Sequence, residues 1–73
     1  MIEPGYYSHY KGDKYIVDCI GKHTETKEWL VVYYPAIDLS KGERRIWIRP
    51  LDMFKEKVKV DGKMVPRFKK IKD

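Results

Sequence analysis

A chain of 73 residues holds one small domain and is too short to fill a second core. Its 42% hydrophobic content and ten aromatic rings exclude a disordered tail, and a single cysteine, Cys19, excludes an intramolecular disulfide. The net charge of +5 is uneven: residues 1–40 hold four Lys/Arg against six Asp/Glu, and residues 41–73 hold twelve against five. A basic C-terminal half fits either a polyanionic partner or a solvated, lysine-rich surface.

In chain order, Tyr6 to Tyr10 alternates, with Tyr6, Ser8 and Tyr10 on one face and Tyr7 and His9 on the other, and it meets turn residues at Lys11-Gly12-Asp13. Lys14 to Gly21 reads as a second strand with Tyr15, Val17 and Cys19 turned inward. The polar run Lys22 to Lys27 is a hairpin connection, and Trp29 to Tyr34 returns as a third strand, apolar at both parities and so covered on two sides. Pro35 lacks an amide hydrogen and ends that ladder. A loop from Pro35 to Arg44, with turn chemistry at Ser40-Lys41-Gly42, leads into a fourth strand, Arg45 to Arg49. Leu51 and Phe54 stand three apart, which predicts one 3₁₀ turn plugging an end of the fold. Lys55 to Val60 alternates, Asp61-Gly62 is a two-residue hairpin signal, and Lys63 to Phe68 comes back with Pro66 at an edge.

Five to six short strands with a 3₁₀ turn before the last hairpin predict an all-β domain, best matched by a small SH3-like barrel, with an OB-like barrel as the alternative. The expected domain is residues 1–73, with 1–4 and 69–73 as flexible ends. Met1 to Gly5 lacks a signal peptide's basic start and apolar core, and no run approaches the ~20 apolar residues of a membrane span. With one cysteine, the expectation is a cytoplasmic protein with no membrane partner.

Several stretches together carry a family resemblance. They are Gly5-Tyr6-Tyr7-Ser8-His9-Tyr10-Lys11-Gly12, Tyr15 and Val17, His23-Thr24-Glu25-Thr26 with Leu30-Val31-Val32-Tyr33, Trp47-Ile48-Arg49-Pro50 with Met53-Phe54, and Val58, Gly62 and Pro66-Arg67-Phe68. On these the chain resembles the small bacterial domain-of-unknown-function family numbered sixteen fifty-three. The resemblance implies a stand-alone β domain and brings no activity, cofactor or partner. The chain departs from the family pattern between Pro35 and Arg45, where it carries Ile37-Asp38-Leu39-Ser40-Lys41-Gly42-Glu43.

The residues that could carry chemistry fall into three groups. His9, His23 and Glu25 would form a general-base pair or a partial metal site if the hairpin loop folded over the first strand, but they lack the spacing of a zinc motif; the plainer alternative is that each imidazole bonds nearby backbone and fixes a turn. Tyr6, Tyr10, Trp29, Tyr33, Tyr34 and Trp47 are more rings than so small a core can bury, so some must show a face outside. Arg49 after Trp47 and Arg67 beside Phe68 are placed to stack near a ring and present a fork to a carboxylate or phosphate. For Arg49 internal pairing with Glu25, Asp52 or Glu56 is the favoured expectation, and Arg67 is left open. Lys55, Lys57, Lys59, Lys63, Arg67, Lys69 and Lys70 make the last hairpin and tail cationic, as a single-stranded nucleic-acid binder needs and as an aggregation-resistant edge also needs.

No nucleophile pairs with a base and no glycine-rich phosphate loop or carboxylate dyad is present, so the leading expectation is a non-catalytic binding module without cofactor or metal. Its surface of His9, His23, Glu25, Tyr33, Tyr34, Trp47 and Arg49 would receive a peptide or small ligand. The alternatives are a nucleic-acid accessory protein using the basic half and a small enzyme using His9, His23 and Glu25.

Overall fold

Residues 2–71 are described by a computed structural model. Its strands are β1 (Gly5–His9), β2 (Lys14–Lys22), β3 (Trp29–Pro35), β4 (Trp47–Pro50), β5 (Lys57–Val60), β6 (Lys63–Pro66) and β7 (Phe68–Lys70). Two four-residue helical turns, α1 (Asp38–Lys41) and α2 (Leu51–Phe54), precede and follow β4. Five strands form one antiparallel sheet in the order β4-β3-β2-β1-β7, while β5 and β6 pair only with each other.

The all-β expectation holds, and closure into a barrel does not. After Pro50 the chain turns into α2, which packs against β3 and β4 instead of extending the ladder, so β4 and β7 remain the edges of the sheet. The expected returning strand of the last hairpin is broken in two. Pro66 ends β6, Arg67 donates its amide N–H to the Glu56 carbonyl, and Phe68 leaves to pair with His9 in the other sheet. Lys69 and Lys70, read from sequence as part of a flexible end, pair with Ser8 and Tyr7. Residues 1, 72 and 73 of the expected flexible ends lie outside the described residues.

Local chemistry explains the turns. Asp61 and Gly62 have φ of 50° and 80°, the two positive values that a type I′ hairpin requires. The β2 register slips by one between Val17 and Cys19, because Val17 pairs with Tyr33 and Cys19 with Val32. This bulge at Asp18 inverts the alternation, so Cys19 is exposed rather than inward and Ile20 comes to lie opposite the buried Val31. The expected 3₁₀ turn is α-helical, closed by the Lys55 amide on the Leu51 carbonyl at 3.0 Å.

Tyr7, Val17, Val31, Tyr33, Phe54 and Phe68 make the core, with Ile2, Tyr15 and Leu51 packed on it. Phe54, on α2, lies flat on Phe68 with ring centroids 4.1 Å apart and meets Tyr7 and Tyr33 edge-on at 5.4 and 5.5 Å. One helical turn thereby covers the core face of the sheet with a single ring. F54A should lose about 3–5 kcal/mol in a urea titration, a large share of the total for so small a domain, whereas M53A on the exposed side of the same turn should change by less than about 0.5 kcal/mol. A near-native midpoint for F54A would contradict this assignment of the core.

Candidate functional site

The expected aromatic surface divides. Tyr33 and Tyr34 are buried, at 2% and 5% exposure, and Trp47 stays 42% exposed. Tyr33 presents no face to solvent, but its hydroxyl accepts a hydrogen bond from Arg49 Nε at 3.1 Å. Arg49 therefore does not pair with Glu25, Asp52 or Glu56 as expected. It sits opposite Val31 in the β3–β4 ladder, one diagonal step from Tyr33 on the same face, and a phenol is what that position offers. Its guanidinium carbon also lies 5.9 Å from the Phe68 ring centroid.

The two histidines do not meet. His9 ends β1 beside Asp13, and His23 follows the far end of the nine-residue β2, a separation of roughly 30 Å at about 3.3 Å per residue. Each imidazole fixes a turn: His9 Nδ1 accepts the Lys11 amide N–H at 3.2 Å, and His23 Nδ1 accepts those of Glu25 and Thr26 at 3.0 and 3.2 Å. Among the described residues no three His, Cys, Asp or Glu side chains gather as a metal site. No helix there is long and apolar enough to cross a membrane.

The basic residues are spread over several faces. Lys57 and Lys59 share one face of the hairpin, and Lys63, opposite Val60, lies on the other. Lys69 and Lys70 alternate along β7, and Lys55 precedes β5. Arg67 is tied to Glu56 at 2.9 Å.

A groove of about 440 Å³ opens where the start of β2, the end of β3 and the approach to β4 converge. Tyr15 and Trp47, with ring centroids 5.8 Å apart, form its wall, Pro35, Ala36 and Ile37 an apolar shelf, and Asp13, Lys14 and Arg45 the polar rim. The volume lies in the range of small-ligand sites, and rings set beside a few fixed polar groups are what such sites use. Tyr15 packs edge-on against Tyr33 at 5.6 Å and Phe68 at 5.7 Å, so the core holds the groove wall rigid. Burial raises the Tyr15 hydroxyl above the ordinary phenol range, helped by Asp13 and Tyr33, while Arg45 and Arg49 act the other way.

Arg45 is held by a carboxylate that the sequence does not mark. Asp38, the first residue of α1, is completely buried; it accepts the Arg45 amide N–H at 2.8 Å and the guanidinium Nη2 at 2.9 Å. These bonds hold the Asp38 carboxyl below the ordinary carboxylate range. Gly42, with φ of 71°, lets the chain reverse after α1 so that Arg45 comes back over Asp38. Of the groove-lining residues Trp47 alone belongs to the site expected from sequence, and the rest, Tyr15 and Arg45 foremost, do not. The excess of rings pointed to such a surface, but the ion pair across an apparent loop left no periodic signal.

His9 has a crowded setting. Its ring is 5.0 Å from Phe68 and 6.1 Å from Tyr15. Burial first, then the positive charges of Arg67, Lys11 and Arg49, hold the imidazole below its ordinary range, against a weaker opposing effect of Asp13.

The family model described as "Protein of unknown function (DUF1653)" matches residues 5–70. Among solved structures, the chain is similar to the crystal structure of a DUF1653 protein from Bordetella bronchiseptica, at 31% identity and a TM-score of 0.78, covering 96% of this chain and 87% of that one. No curated protein matches.

The two titrating groups act in separate pH windows. Because the folded His9 binds its proton less readily than the unfolded chain, stability should fall as pH drops below about 6.5. Asp38 contributes fully above about pH 4, and that contribution is lost as pH falls further. In melting curves across pH, H9N should flatten the upper slope. D38N should flatten the lower one and reduce the neutral-pH Tm by about 4–8 °C or more. Slopes unchanged by both substitutions would contradict the assigned environments.

Proposed function

From its membership of the DUF1653 family, whose function is unknown, and from the geometry of its groove, we propose that this chain is a non-catalytic binding module that receives a peptide or small ligand between Tyr15 and Trp47. The observation that carries this reading is a pair of adjoining rings left at the surface beside an apolar shelf and a guanidinium pinned by a buried carboxylate. Surface rings that the core fixes offer large contact area at small entropic loss. Asp38 pre-sets Arg45, which keeps 56% of its side chain exposed. The open sheet with a helical turn ahead of its last hairpin is read as an SH3-like arrangement that stops short of closure, and an exposed, unpaired Cys19 fits a reducing, cytoplasmic setting.

Calorimetric titration with short aromatic and proline-rich peptides and aromatic fragments tests the proposal. W47A should weaken any binder by about tenfold or more, as loss of an interface anchor does, with a Tm change of only a few degrees. Binding that survives W47A and Y15A, or that appears only with single-stranded RNA or DNA and collapses between low and moderate salt, would overturn it in favour of the basic half.

A further inference from the structure

Beside the groove wall, positive groups converge with too few partners. Arg49, half-buried over Phe68, makes no ion pair among the described residues; its one hydrogen-bond partner there is the neutral Tyr33 hydroxyl. Arg67 reaches Glu56 through Nη2, and its Nε is buried with no hydrogen-bond partner. The His9 ring and the Arg49 guanidinium carbon lie 5.0 and 5.9 Å from the centroid of the same Phe68 ring, and Arg67 is the residue that precedes Phe68. His9 Nδ1 accepts a backbone N–H, which leaves Nε2 to carry the proton of the neutral ring and act as a donor. A guanidinium held over an apolar ring with only a neutral hydroxyl for a partner is poorly compensated until an anion joins it. This corner is continuous with the groove wall, because Tyr15 touches His9 and Phe68 as well as Trp47.

Resting on the reading of Tyr15 and Trp47 as a binding wall, we infer that the site takes an aromatic carboxylate. The ring of the ligand lies along Tyr15 and Trp47, and its carboxylate meets Arg49 and His9 with Arg67 close by. A guanidinium fork matches a carboxylate's two oxygens, which is the geometric reason for preferring that anion. A ligand carrying the ring alone would occupy the wall and leave the cations unanswered.

The test uses the whole protein and follows the His9 imidazole by NMR across pH, with millimolar benzoate, benzamide, inorganic phosphate or N-acetylphenylalanine. H23Q assigns the two histidine signals. Benzoate should raise the His9 pKa by about half a unit or more while His23 stays put, since a nearby negative charge favours the imidazolium. R49Q should weaken benzoate at least about tenfold, and R49K, which keeps the charge and loses the fork, should fall between. A comparison of benzoate with N-acetylphenylalanine tells a free aryl acid from the aromatic carboxyl terminus of a peptide. Benzamide binding as tightly as benzoate would overturn the inference and leave the binding wall intact. Phosphate shifting His9 as strongly as benzoate would overturn the aromatic assignment, and binding of none of the four would sink the inference and the groove reading together.

Discussion

Phe54 lying flat on Phe68 at 4.1 Å, against the buried face of the five-stranded sheet, is the contact around which the rings of that face are arranged. The four-residue turn that delivers it follows directly from Pro50, so one short segment both ends β4 and covers the core face of the sheet. With Tyr7 and Tyr33 pressed edge-on against Phe54, the centre is full. Tyr15 and Trp47 pack on the margin of that cluster and keep part of their surface outside. The candidate groove is thus a by-product of a core too small for its aromatic complement, made rigid by the part of it that is buried.

Charge is arranged around the same cluster in two different ways. Arg45 is matched by a wholly buried carboxylate and so becomes a fixed feature of the groove rim. Arg49 receives only a phenol hydroxyl and an aromatic face. A cation left in that state over an apolar surface is poorly compensated by its own protein, and the charges of Arg67, Lys11 and Arg49 disfavour a proton on the neighbouring His9. The contrast between the satisfied and the unsatisfied arginine separates the scaffold from the place where a ligand's charge would be welcome.

Strand positions were legible because period-two alternation and turn residues agree along most of the chain, as at Asp61-Gly62 and Gly12. What escaped depends on contacts distant in sequence. The bulge at Asp18 turns Cys19 outward, and only pairing with β3 reveals the slip. The division of the last strand into β6 and β7 needs Glu56 to hold Arg67 and β1 to capture Phe68. Asp38 looks like an ordinary loop acid until Arg45 returns over it. That some rings must lie outside could be read from their number, yet which ones did so was decided by packing: Tyr33 is sealed against Phe54, Tyr34 is buried on the other face of β3 with Arg44 over its ring, and Trp47 with part of Tyr15 stayed at the edge. His9 and His23 were separated by the length of β2 itself.

The central claim is that the surface between Tyr15 and Trp47 is where this domain meets its ligand. Amide chemical-shift mapping of the isotopically labelled protein with an aromatic ligand tests it most directly. Perturbations should concentrate on residues 13–15, 36–37 and 45–47, with the β5–β6 hairpin silent. Perturbations confined to that hairpin, or scattered over the rest of the surface with Trp47 unmoved, would contradict it.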